Sequence, residues 1–171
     1  MKYSIYILFL ILTLTSAKVN ACTCKTPKNL KALQDYEFEN SEFVLIGKVL
    51  KIDLNNNTFQ VKIIESFKGE EKGKIYNGIY DKYCSPIIDK KGKWLIYGNL
   101  NSEKLITINT CGLTRSFESP ENNISATYPP VPPILNKKKS KSQDEKKLAK
   151  WKLRAKSDLK NEIADLRKRI K

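Results

Sequence analysis

The chain has 171 residues, with 32 Lys and Arg against 18 Asp and Glu, a formal net charge of +14, and no histidine at all. Without histidine the usual general base and the commonest zinc ligand are missing. That argues against a hydrolase and against a metal site of the chain's own, so a non-enzyme is expected, with no cofactor and no small-molecule substrate.

The first 21 residues read as a secretory signal. Lys2 gives a positive start, Tyr3 to Leu14 is apolar but too short to span a bilayer comfortably, and Val19-Asn20-Ala21 offers small or aliphatic residues to a signal peptidase. Cleavage after Ala21 leaves Cys22 as the mature N-terminus of a secreted, periplasmic or extracellular protein. Two other readings stay open. Thr15-Ser16-Ala17 also obeys the small-x-small rule and would leave Lys18 first, and Val19-Asn20-Ala21-Cys22 is similar to a lipobox, which would anchor the chain through a lipid on Cys22. An exported chain meets oxidising conditions, so Cys22, Cys24, Cys84 and Cys111 are expected to form two disulfides. Arithmetic alone allows three pairings.

Lys28 to Phe38 carries Leu30, Leu33 and Tyr36 at helical spacing. Phe43 to Ile52 is long, apolar and β-branched, and stops at the turn-forming run Asp53 to Asn57. Phe59, Val61 and Ile63 alternate with Gln60 and Lys62, the period of a strand with one buried face, which ends at Lys68-Gly69. Lys74 to Ile79, Lys93 to Tyr97 and Leu105 to Asn109 are three further strands, and the loop from Tyr80 to Lys91 carries Cys84. Five short strands with helices at the margins predict a mainly β domain over residues 22–127, a small five-stranded closed barrel of the OB type, with a β-sandwich as the alternative.

Residues 128–135, beginning Tyr128-Pro129-Pro130, have the composition of an extended proline-rich linker. Residues 136–171 hold 15 Lys and Arg against 5 Asp and Glu, so most of the net charge lies there. Within them Leu148, Trp151, Ala155, Leu159, Ile163, Leu166 and Ile170 step by three and four, predicting a basic amphipathic helix. Its stripe docks on the barrel, pairs with a second copy, or lies on an anionic surface or polymer. Because the linker separates it from the barrel, the helix is expected to be dispensable for barrel folding. Asn56-Asn57-Thr58 and Asn123-Ile124-Ser125 match the glycosylation sequon, which counts only in a host with that machinery.

The pieces Cys22-Thr23-Cys24, Phe43-Val44-Leu45-Ile46-Gly47-Lys48-Val49, Phe67-Lys68-Gly69, Cys84, Trp94-Leu95-Ile96-Tyr97 and Ile106-Thr107-Ile108-Asn109-Thr110-Cys111 occur in an order that resembles the N-terminal domain of tissue inhibitors of metalloproteinases, in the netrin-like superfamily. The resemblance runs from Cys22 to about Arg115. It implies the pairings Cys22–Cys84 and Cys24–Cys111, and an inhibitory edge in which the amine and carbonyl oxygen of Cys22 chelate the zinc of a partner metalloprotease. Thr23 would enter a substrate side-chain pocket, Lys25-Thr26-Pro27 would continue along the cleft, and Tyr83 would make a second contact. Pro27 biases Thr26 toward an extended backbone, which suits such an edge. The family's third disulfide in this domain and its cysteine-rich second domain are missing, and the linker and basic helix stand in their place. Netrin-like barrels also occur in proteins that inhibit nothing, so a non-inhibitory module with a basic tail for anionic partners is the alternative.

Overall fold

A computed structural model describes residues 22, 29–69, 72–127 and 141–170. The expected signal segment, Thr23, Cys24, Lys25, Thr26, Pro27 and the proline-rich linker lie outside the described residues. The elements are α1 (Leu30–Asn40), β1 (Phe43–Asp53), β2 (Thr58–Lys68), β3 (Ile75–Ile79), β4 (Gly92–Leu100), β5 (Ile106–Ile108), β6 (Arg115–Ser116), short 3-10 turns at Pro120–Asn122 and Ile124–Ala126, and α2 (Lys141–Arg169).

Five of the strands close on themselves in the order β1-β2-β3-β5-β4, with β4 returning to β1, and β6 adds to β4. All pairings are antiparallel except β3 with β5, where Gly78 faces Ile106 and Ile79 faces Thr107. This is the five-stranded, OB-like barrel that the strand pattern predicts. Its first hairpin turns through Asp53, whose carboxylate accepts from the Asn55 and Asn56 amides, and Asn57 takes a left-handed backbone (φ 54°) that asparagine tolerates. Strand β1 pairs with both β2 and β4, and three register shifts against β2 bend it through the closure. Gly47 sits at that bend, where a Cβ would run into the Val61 side chain.

Two apolar layers result. Inside the barrel lie Leu45, Val49, Phe59, Val61, Ile63, Trp94, Ile96 and Ile106. The outer face of the same strands carries Val44, Ile46, Leu95 and Tyr97, which pack with Leu113 under Leu159, Ile163 and Leu166 of α2, flanked by Leu33 and Phe38 of α1. Burial on both faces explains why β1 and β4 read as unbroken apolar runs rather than alternating ones.

Helix α2 therefore packs as part of the folded unit, which argues against the expected dispensability of the tail. Of the three uses left open for its stripe, the helix takes the first. Ala155, Leu159, Ile163 and Leu166 are buried, while Leu148 and Ile170 at the two ends stay exposed. Between them Glu162 is buried as well. It pairs with the fully buried Arg115 guanidinium, accepts from the Tyr97 hydroxyl at 2.6 Å and accepts from the Gln34 amide at 3.0 Å. Burial first, and then the Glu162 carboxylate, push the Tyr97 phenol far up, so it stays a donor. At the rim the Arg167 guanidinium grips Glu65 with two bonds of 2.7 Å, and the Thr127 hydroxyl donates to Asp158 at 2.5 Å.

Helix α1 starts on Asn29, whose side chain accepts from the Ala32 amide, and buries Glu37 near its end. The Asn109 amide donates to that carboxylate at 2.9 Å and so ties α1 to the loop entering Cys111. Burial raises the Glu37 carboxyl above its ordinary range, the Asn109 bond pulls it partly back, and the nearby Glu162 charge adds to the rise. Stability from protonated Glu37 is thus fully present below its ordinary pKa and lost as pH climbs through the raised value. Glu37→Gln keeps an acceptor for Asn109 and cannot ionise. The variant is expected to melt above the parent at neutral pH and level with it below about pH 4, near the unperturbed carboxyl value. Parallel thermal unfolding across pH checks this, and an equal gap at both ends would refute it.

Candidate functional site

The site is built where the chain's first described residue meets the loop between β3 and β4. Cys22 is exposed and bonded to Cys84, with their α-carbons 5.4 Å apart. The Cys84 loop is locally determined: the Asp81 carboxylate accepts from the Tyr83 amide at 2.8 Å, and the Asp81 carbonyl accepts from the amides of Cys84 and Ser85. This Asx-type turn is the ordinary use of aspartate two residues ahead of the amide it caps. The far end is held to β5 by the Ser85 hydroxyl, which donates to the Ile108 carbonyl at 3.2 Å.

A second loop joins it. The Cys111 amide donates to the Cys84 carbonyl at 2.8 Å, and Cys111 adopts a left-handed backbone (φ 54°) immediately before Gly112. Cys111 is disulfide-bonded, whereas Cys24, its expected partner, lies outside the described residues. The structure thus pairs Cys22 with Cys84, as the resemblance implies, and sets Cys111 against the same loop, while the expected Cys24–Cys111 pairing lies partly outside the described residues. In the chain-entropy picture, closing the 62-residue separation between Cys22 and Cys84 is worth about 4 kcal/mol.

Tyr83 stands beside this junction, 77% exposed, with the Lys82 ammonium 5.0 Å from its ring centroid. Ile87, on the other side of Cys84, is 49% exposed. The loop therefore presents two large apolar side chains flanking the disulfide, the composition of a contact surface more than of a solvated turn. The sequence singled out Tyr83 and missed Ile87, although Ser85-Pro86-Ile87, a proline-held apolar residue outside any strand, was the available signal. A cavity of about 370 Å³ adjoins the loop, with Cys84, Cys111, Trp94, Asp89, Asn123 and Ser119 among its walls. Its polar groups are largely engaged: Asn123 donates to the carbonyls of Gly112 and Thr114, and the Ser119 hydroxyl accepts from Lys90. Asn123 of the second sequon is thus held inside the fold, while Asn56 of the first is exposed on its hairpin.

The cluster thus consists of the exposed Cys22, two disulfide-bearing loops and a flanking aromatic. Among the described residues no group of three or more His, Cys, Asp or Glu is placed to hold a metal ion, and no helix is long and apolar enough to cross a membrane. The buried Glu162–Arg115–Tyr97 cluster lies inside the packing of α2, where each of its charges already has a partner. The sequence matches no protein-family model and no curated protein.

Proposed function

We propose that the protein is a secreted inhibitor of zinc metalloproteases whose warhead is the mature N-terminus at Cys22. The reading rests on one observation above the rest: Cys22 is exposed yet strapped by its disulfide to a loop that is itself hydrogen-bonded to β5 and to Cys111. A terminus held this way loses little further freedom on binding, which is what a backbone chelator requires.

In this mechanism the neutral α-amine and the carbonyl oxygen of Cys22 close a five-membered chelate on the partner's zinc. They occupy the open position where the hydrolytic water belongs. The metal belongs to the protease, and this chain supplies only donors. Thr23 fills the adjoining substrate pocket, Lys25-Thr26-Pro27 follows the cleft, and Tyr83 packs at its edge. An amine with a pKa near 8 must lose its proton to bind, so complex formation releases a proton.

Mass spectrometry of the exported protein, followed by titration against a panel of zinc endopeptidases, tests the reading. A start at Cys22 with stoichiometric inhibition of at least one enzyme is expected. A start at Lys18, a lipid on Cys22, or a correctly processed protein that inhibits none of the panel would sink it, leaving a netrin-like binding module or an anchored envelope protein.

A further inference from the structure

Three exposed lysines stand side by side across the outside of the barrel. In the β-sheet register Lys48 faces Lys62 on one neighbour and Lys93 on the other. Like charges directly opposite one another on a sheet are destabilising, and none of the three has an acidic partner among the described residues. The row continues into Phe117, whose amide donates to the Lys93 carbonyl at 2.9 Å. Phe117 borders a groove of about 320 Å³ against α2, with Leu159 and Ile163 also in its wall and Lys156 and Lys160 along its lip. Lys156 and Lys160 are again like charges four residues apart and have no acidic partner among the described residues, whereas Arg167 at the groove's end is neutralised by Glu65.

Five lysines with no acidic partner among the described residues, three in a row leading to the half-buried Phe117 ring and two on the groove beyond it, form a costly arrangement for the isolated protein, and an anion with repeated charges would relieve it. We infer that this band binds a linear anionic polysaccharide, with the C–H face of a sugar ring on Phe117 and the groove, and its carboxylate or sulfate groups on Lys48, Lys62, Lys93, Lys156 and Lys160. The groove falls within the range of small-ligand sites, about 300–1,000 Å³, and so takes a short run of sugar units while the strand lysines extend the track.

Other polyanions fit less well. The Cys22–Cys84 disulfide suits an oxidising compartment, where extracellular polymers are met. A single-stranded nucleic-acid track needs successive aromatic platforms, and here there is one, while duplex DNA is left to the competition below. A membrane-surface helix needs a continuous apolar face outward, whereas the apolar face of α2 is turned onto the barrel.

Calorimetry of the full-length protein with a heparin octasaccharide, a neutral dextran of equal length and duplex DNA of matched charge tests the inference. The octasaccharide is expected to bind and the dextran not. Lys48→Gln/Lys93→Gln and Lys156→Gln/Lys160→Gln should each weaken binding about fivefold to tenfold, the worth of two exposed charge pairs. The same charge removed by Lys146→Gln/Lys147→Gln, from the fully exposed start of α2, should cost less than about twofold. Relief of the cross-strand repulsion should raise the thermal midpoint of the first variant, which separates lost binding from lost folding. No octasaccharide binding, an equal loss in the control pair, or DNA bound as tightly as the octasaccharide would overturn the assignment.

Discussion

Cutting the chain after Pro133 is expected to unfold the barrel or leave it barely stable. The cut removes Leu159, Ile163 and Leu166 from the outer apolar layer, each worth about 1.5–3 kcal/mol when fully buried. It also deprives the Arg115 guanidinium and the Tyr97 hydroxyl of Glu162, and removing one partner of a buried ion pair typically costs about 3–5 kcal/mol. Together these losses approach the whole stability of a domain of this size, about 5–15 kcal/mol. Glu162→Ala isolates the polar part, and its loss of about 3–5 kcal/mol should be visible in urea unfolding followed by circular dichroism. The triple change Arg115→Met/Glu162→Leu/Tyr97→Phe removes the fully buried members of the cluster, leaves only the half-buried Gln34 amide to find water, and should regain most of that loss. A truncated barrel melting at the parent temperature would show instead that α2 contributes nothing to the fold.

The same cluster marks where sequence reading stopped. The barrel strands were legible because their burial is periodic or continuous: Phe59, Val61 and Ile63 face inward on β2 with Lys62 outward, and the runs in β1 and β4 are apolar on both faces. Apolar spacing predicts helix α1 two residues early, at Lys28 to Phe38 against the observed Leu30–Asn40, since the Asn29 cap is a local feature that such spacing does not report. Strand β6 is two residues long and has no pattern to read. Arg115 and Glu162 lie 47 positions apart, and each reads alone as a surface charge. One signal was present. Glu162 falls among Leu159, Ile163 and Leu166 on the apolar stripe of α2, and a carboxylate there requires a buried cation or donor. The lysine row of Lys48, Lys62 and Lys93 was hidden for a related reason, because only strand register makes neighbours of three residues from three strands. At the candidate site, Cys22 and Cys84 meet as the family resemblance implies, a pairing that arithmetic on four cysteines leaves undecided.

Placing a single Ala ahead of Cys22 is expected to abolish the proposed metalloprotease inhibition while leaving the barrel intact. The extra residue converts the Cys22 nitrogen from an amine to an amide, whose lone pair is delocalised into the carbonyl and is a poor zinc donor at neutral pH. It also moves the new amine one residue away from the position held by the Cys22–Cys84 bridge, so the new terminus cannot close the same chelate. Loss of the metal contact should weaken binding by at least about a thousandfold, equivalent to roughly 4 kcal/mol. Since Cys22 keeps its disulfide and no packed side chain changes, the thermal midpoint should stay with the parent. In the parent, affinity should fall about tenfold for each pH unit below the amine pKa of about 8, because protons then compete with zinc for the lone pair. The extended variant has no working amine to titrate and should lose that slope. An extended protein that inhibits as strongly as the parent, with the same dependence on pH, would show that the Cys22 amine does not carry the inhibition.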